Sequence, residues 1–393
     1  CIDNGILFTG HVVCEDNLWN QTRELGDVMR TYRAFQIPGI DILRNEFSYM
    51  AAKQAQSVEH QYGREGVLAE IYGVTGWKFD FRGYKLQGDW EAALGITVRV
   101  PHLSWASMAG EAKRDYPASF QYQSPWYQDY KYIEDHFARV NTALTRGKPD
   151  VQVAVIHPIE SYWLYWGPNE TTFAKREQMD REFRDLCEWL LFDTIDFDYI
   201  AESLLRDLFK ETEDGYFHVG EMKYAAVVVP PMETIRSTTL EALEKFRRHG
   251  GTVIFTGKCP RYENAISSQR AALLAASCRE VEFCKPAVLD ALLQQRKVRV
   301  VDLSGKPVNS LFYSLRDEKE YQWIFLAHGK KMYGCEYQFA IYNDLDAPRA
   351  ESVIIEIKGE FIPVLYDTLT GRTGKVSFNY RNGWTCIPYE FYS

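Results

Sequence analysis

The sequence predicts an α/β fold in three consecutive parts. Residues 1–147 read as the C-terminal half of a (β/α)8 barrel, residues 148–297 as a doubly wound α/β domain, and residues 298–393 as a small β-sandwich. Three observations predict this. Four apolar runs recur about every 30 residues in the first part, with helical segments between them. The link "RGKPDVQVAVIHP" (146–158) then opens a new buried strand. From about residue 298 the pattern turns to alternation and turn residues, the texture of antiparallel strands.

The four runs are "ILFTGHVV" (6–13), "IPGIDIL" (37–43), "GVLAEIYG" (66–73) and "GITVRVPHL" (95–103). Between the first two, "TRELGDVMRTYRAF" places Leu25, Val28, Met29 and Tyr32 at i, i+3, i+4, i+7, the spacing of one amphipathic helix. "FSYMAAKQAQSVEHQYG" is Ala-rich and stops at Gly63, a C-cap signal, and "YKLQGDWEAALG" stops likewise at Gly95. Strands separated by a helix in this way form parallel βαβ units. A complete barrel takes roughly 250 residues and eight units. Four units before residue 148, in a sequence that opens at Cys1 without Met, lead to the expectation that the first four strands lie upstream.

The second part continues with a helix over about 173–193, "DFDYI" (196–200), "YAAVVVPP" (224–231), a helix over about 238–249 and "GGTVIFTG" (250–257). Short β-branched runs between turn residues are typical of a flavodoxin-like sheet. No GxGxxG and no P-loop is present, and Cys259 in "TGKCPR" lacks a Gly-flanked nucleophile elbow. A structural role follows for this part, against a flavin- or nucleotide-dependent enzyme centred on residues 151–297. In the third part "EYQWIFLAHG", "EYQFAIYND", "ESVIIEIKG" and "KVSFNYRNGWTCIPYEF" read as strands, with a hairpin turn at Asn382-Gly383.

Composition bounds the chemistry. The 393 residues are 46% apolar and 25% charged, with net charge −9 and no Lys/Arg cluster able to neutralise a row of phosphates. Nucleic acid is therefore excluded as a partner. No apolar stretch approaches the roughly 20 residues that cross a bilayer. The eight cysteines are scattered without a CxxC pair, so they read as free thiols in a reducing compartment rather than a metal site. A cytoplasmic location is the matching expectation. Aromatics make up 15%, and seven tryptophans fall within the first 166 residues. Most aromatics serve a core, but a cluster beside turns also suits a pocket that stacks sugar rings.

In parallel α/β folds, chemistry collects at the C-terminal ends of strands. His11, Glu15 and Asp16 follow the first run, Asp41 closes the second, Glu70 ends the third, and His102 and Trp105 follow the fourth. Any one of these could be a satisfied structural residue; four strand ends in succession are harder to dismiss. Glu70 stands out, framed by apolar residues and followed by Gly73, Gly76 and Trp77. A carboxylate in such surroundings is costly unless partnered, and it is the setting in which general acid/base groups are tuned.

The segments "FTGHVVCED", "IPGIDILR", "KQAQSVEHQYGREGVLAEIYGVTGW", "GITVRVPHLSWAS" and "DHFARVNTALTRGKPDVQVAVIHPIES" together resemble bacterial glycoside hydrolases of family 106, the α-L-rhamnosidases. The likeness to family 42 β-galactosidases is more distant. It is most specific over residues 50–157 and weak over the last hundred. The resemblance implies a barrel followed by a flavodoxin- or amidotransferase-like domain and then β-domains, and hydrolysis of O-glycosidic bonds by two carboxylates. It makes Glu70 the strand-seven glutamate, nucleophile or general base, with the partner acid upstream unless Glu15 or Asp16 serves. On it, Trp77, His102 and Trp105 line the sugar subsite by stacking and hydroxyl recognition; His11, Asp16 and Asp41, by their strand-end positions, are the further substrate-binding candidates. The resemblance favours inversion, and it alone brings in calcium, for which no calcium-loop pattern is present; the residues themselves call for no cofactor.

The expected partner is thus a carbohydrate substrate, with the flavodoxin-like part offering a surface for homo-oligomerisation. The rival expectation is a non-catalytic carbohydrate-binding or scaffold protein, in which Glu70 only hydrogen-bonds a hydroxyl.

Overall fold

The computed structural model describes residues 1–43, 47–77, 79–110, 120–329 and 350–392. Its first part is a parallel sheet of four strands in sequence order, β1 (Thr9–His11), β2 (Ile37–Ile42), β3 (Val67–Ile71) and β4 (Ile96–Pro101). Their register sets His11 opposite Gly39, Asp41 opposite Glu70, and Glu70 opposite Val100. Gly39 has a steric reason: a Cβ there would stand 2.3 Å from the Gly10 carbonyl oxygen, so β1 and β2 approach closely only with glycine.

The helix predicted between β1 and β2 is two helices, α1 (Leu18–Glu24) and α2 (Val28–Tyr32). Gly26 adopts a left-handed φ of +83° at the break, and Asp27 restarts the helix by accepting from the Arg30 N–H at 3.2 Å. The apolar spacing survives because Val28, Met29 and Tyr32 are all buried on α2. α3 (Tyr49–Tyr62) ends as expected at Gly63, whose φ is +60° and whose N–H returns to the Glu59 and His60 carbonyls. α4 (Phe81–Ala93) precedes β4, and α5 (Lys131–Leu144) follows it.

The link at residue 148 is a two-residue strand, β5 (Lys148–Pro149), paired antiparallel with Leu311–Glu318 of the third part. Five parallel strands follow: β6 (Val153–Ile156), β7 (Phe197–Ile200), and strands Ala226–Val229, Thr252–Thr256 and Arg279–Val281. β6 lies between β7 and Ala226–Val229, which in turn pairs with Thr252–Thr256 and then Arg279–Val281. α6 (Ile159–Trp163) and α7 (Asn169–Phe192) connect β6 to β7. The last of the five strands was not legible, since "REV" is too short and charged to stand out.

From Val298 onward the described residues are strands and connections. Val298–Asp302, Ala350–Lys358, Trp384–Tyr392 and Asn379–Arg381 form one antiparallel sheet, and Asn382-Gly383 turns the hairpin with both φ values positive. The strand expected in "EYQFAIYND" lies outside the described residues. The whole is a mixed α/β fold with two parallel sheets.

One apolar cluster joins all three parts, including Leu18 and Ile40, Val153 and Phe192, and Phe312 and Ala327. α3 is buried from Tyr49 to Gln61 because it packs on β2 and the first sheet on one side and on β7 and α7 on the other. Among the described residues no helix is long and apolar enough to cross a membrane.

Candidate active site

The C-terminal ends of the four parallel strands bring His11, Asp41, Glu70 and His102 together. β1 ends on His11 and β3 carries Glu70 one residue before its end. Asp41 occupies the equivalent place on β2, and His102 follows β4 directly. His11 Nε2 stands 2.7 Å from Glu70 Oε2, and its Nδ1 lies 3.1 Å from the Val12 carbonyl oxygen and 3.9 Å from Asp41 Oδ2. His102 Nε2 approaches Glu70 Oε1 to 3.9 Å from the other side. Gly73 makes room for this, since a Cβ there would meet the His102 ring at 2.7 Å. Glu70 is 23% exposed. The buried carboxylate suggested by the apolar run is instead a half-buried one with an imidazole partner.

Electrostatics follow from this packing. Burial lowers the His11 pKa, but the Val12 carbonyl and the carboxylates of Asp41, Glu70 and Glu15 outweigh it and leave the group above its ordinary 6.5. Burial raises Asp41, with Glu70 adding to the rise and His11 and His102 opposing it.

Glu15 is 2% exposed and lies beneath this floor. Its Oε1 accepts the Asp41 N–H at 2.9 Å, and its own carbonyl accepts from the Gln21 and Gln54 side chains at 3.1 and 3.0 Å. Burial pushes its carboxyl up to about 7. Asp16 turns away from the floor: its carboxylate accepts from Asn17 at 2.8 Å and Asn20 at 3.1 Å, holding the turn into α1. Trp77, 43% exposed, and Trp105, 7% exposed, follow β3 and β4 and pack with ring centroids 5.5 Å apart. They form an aromatic rim in the loops after the strands that carry Glu70 and His102.

Sequence reasoning missed Gln54. It bridges the Glu15 carbonyl and His157 Nε2, the latter at 2.9 Å, and so ties the site floor to the end of β6. A glutamine in the middle of a helix gives no signal of such a role.

One oxygen or nitrogen each from His11, Asp41 and Glu70 lies within 4.8 Å of the others, a grouping able to hold a metal ion. Calcium takes six to eight oxygens, whereas this set offers one imidazole and two carboxylates, and His11 already spans to Glu70 at hydrogen-bond distance. The residues do not fit calcium.

The other place where an open parallel sheet takes ligands is the crevice between β6 and Ala226–Val229, where the strand order reverses. There Ser161 Oγ accepts from the Glu233 and Thr234 N–H groups at 3.0 Å. Pro158, Pro230 and Pro231 close around a cavity of about 10 Å³.

The sequence pattern of glycoside hydrolase family 106, described as alpha-L-rhamnosidase, matches residues 21–378. The fold is similar to that of the rhamnosidase from Novosphingobium sp. PP1Y, with a TM-score of 0.69 and 17% identity over 99% of this chain and 36% of that protein. It is also similar to the exo-carrageenase of family GH42 from Bacteroides ovatus, with a TM-score of 0.55 and 11% identity over 92% of this chain and 49% of the other. The chain thus spans about a third of the length of the rhamnosidase and about half that of the carrageenase. No curated protein matches it in sequence.

Proposed function

The chain belongs to the glycoside hydrolase 106 family, described as alpha-L-rhamnosidase, and on that premise we propose that it provides the general base and sugar-binding floor for hydrolysis of an α-L-rhamnoside. The observation that carries this reading is the convergence of His11, Asp41, Glu70 and His102 at the ends of four adjacent parallel strands. In the proposed reaction Glu70, 2.7 Å from His11 Nε2, takes a proton from the water that attacks the anomeric carbon. Asp41 and His102 receive sugar hydroxyls, and Trp77 and Trp105 line the ring's apolar face.

Inverting hydrolysis places two carboxyls roughly 6.5–9.5 Å apart, on opposite faces of the sugar. Asp41 has an oxygen within 4.8 Å of one of Glu70. Glu15 is enclosed by protein. Neither is given the acid's role. In the same reading the four βα units are the half of a (β/α)8 barrel that holds strand seven. Residues 148–297 form a flavodoxin/amidotransferase-like doubly wound domain, and residues 298–393 a β-sandwich.

The test is Glu70→Gln in the full-length protein, assayed on aryl α-L-rhamnosides. A fall in kcat of about 10²–10⁴-fold is expected, in a protein that still folds and whose melting temperature drops only modestly through loss of the charged hydrogen bond to His11. Near-normal turnover in the variant would sink the assignment. A wild type that binds rhamnosides but cleaves none would favour the carbohydrate-binding or scaffold reading.

A further inference from the structure

A second cavity lies at the opposite end of the first sheet. It has a volume of about 370 Å³ and is lined by residues at the C-terminal end of α3, the starts of β3 and β4, the end of α5 and strand Leu311–Glu318. Gly66 borders it and Glu70 is four residues further along the same strand, so the two ends are about 13 Å apart at ~3.3 Å per residue.

The lining is polar and balanced in charge. Arg64, Arg316, Glu59 and Glu65 line it together with Thr97 and Ser314. His60 also borders the space, with Nδ1 3.0 Å from Asp198 and Nε2 3.4 Å from Glu59. Arg316 is held by the carbonyls of Arg146 and Gly147, at 2.6 and 3.2 Å. The volume falls within the range of small-molecule sites, about 300–1,000 Å³.

We propose that this cavity is a second ligand site, distinct from the Glu70 site, for a neutral polyhydroxylated molecule of monosaccharide size. An anion would be attracted by the two arginines but repelled by Glu59 and Glu65, and a cation would meet the reverse. Hydroxyls both donate and accept. They can donate to the Glu59 and Glu65 carboxylates and accept from the Arg64 and Arg316 guanidiniums. Burial raises the Glu59 carboxyl, with His60 and Arg316 opposing that rise, so a ligand hydroxyl meets a group able to accept in either protonation state. Because its walls come from both the first and third parts of the chain, an occupant would join them.

The experiment is titration calorimetry on the full-length protein carrying Asp41→Ala, Trp77→Ala and His102→Ala, which removes the first site's proposed hydroxyl contacts and half of its aromatic rim. The probes are D-glucose, D-galactose and L-rhamnose, with D-galacturonate and D-glucosamine as charged counterparts. One neutral sugar is expected to bind with one-to-one stoichiometry, at least tenfold tighter than either charged sugar. Adding Glu59→Ala and Arg64→Ala should weaken it at least tenfold. Thr145→Trp, at the exposed mouth, replaces these should either variant fail to fold. No neutral sugar binding in this background, binding unaffected by the cavity variants, or equal binding of the charged sugars overturns the proposal.

Discussion

His11 Nε2 and Glu70 Oε2 stand 2.7 Å apart although β2 lies between their strands. Gly39, the register partner of His11 on the intervening strand, carries no side chain. A charge-assisted hydrogen bond of this kind contributes about 1.5–3 kcal/mol.

His11→Asn is therefore expected to lower kcat/KM on aryl rhamnosides by about 10–100-fold, that energy at 1.4 kcal/mol per decade. A pH signature should accompany it. The folded His11 titrates above its ordinary value, so its stabilisation is full below about pH 6.5 and is lost as the pH rises through the folded value. The melting-temperature gap between wild type and variant should be wide at pH 5.5 and narrow at pH 8.5. A gap independent of pH would show that the imidazole is not charged in the folded protein.

Glu15 and Glu70 are separable by mutation. Glu15→Gln keeps an oxygen to accept the Asp41 N–H, so turnover should stay within a few fold of wild type. A catalytic acid would instead lose orders of magnitude. Stability should move the other way from an ordinary loss of contact. With its carboxyl pushed up to about 7, the native state holds a proton that the unfolded chain releases near pH 4.5. Stability therefore falls as the pH climbs between those values. Removing the charge should raise the melting temperature at pH 8 and leave it nearly unchanged at pH 4, as calorimetry would read.

Lys53 is fully buried on α3, with Nζ 2.8 Å from Asp196 and 3.9 Å from Asp198 of the β7 region. His60 and the Tyr224 hydroxyl complete the ring around Asp198, at 3.0 and 2.9 Å. Burial alone would raise the Asp198 carboxyl, but His60 and Lys53 hold it below the ordinary value. Lys53→Met takes away the only cation beside Asp196 among the described residues and one of the two beside Asp198, and should cost about 3–5 kcal/mol in urea unfolding. Asp198→Asn should flatten the acid limb. The stabilisation from a depressed carboxyl is present above its ordinary value near pH 3.8 and disappears as the pH falls through the lower folded one.

These groups also mark the limit of what the sequence discloses. The four strands, the helix caps at Gly63 and Gly95 and the Asn382-Gly383 hairpin were legible because each depends on local pattern or local φ. Glu70 was legible as a carboxylate ending an apolar run. Lys53, Gln54, His60 and Gln61 resemble the solvated face of a helix, and only the packing of α3 between two sheets buries them. Glu15 and Asp16 are adjacent, and their chemistry is nearly the same. The turn before α1 decides that one reaches the Asp41 N–H and the other the side-chain amides of Asn17 and Asn20, a matter of backbone direction that composition does not carry.

Gly39 provides a test of whether strand spacing positions the site. A Cβ at this residue would lie 2.3 Å from the Gly10 carbonyl oxygen and 3.1 Å from a Leu68 methyl. The first contact is with backbone, so the strain cannot be relieved by a rotamer change; β1 must move. His11 ends that strand, and the hydrogen bond to Glu70 weakens steeply with distance and angle. Gly39→Ala should therefore lower stability by about 1–3 kcal/mol, the usual cost of overpacking. It should also lower kcat by at least tenfold without altering any group in the site. Gly76→Ala is the matching control: nothing lies within 4 Å of its would-be Cβ, although its φ of +88° carries a local strain of its own. If Gly39→Ala lost stability but kept full turnover, the placement of His11 would not depend on the approach of β1 to β2. If both fell together while Gly76→Ala lost stability alone, the close approach at Gly39 would be what holds His11 against Glu70.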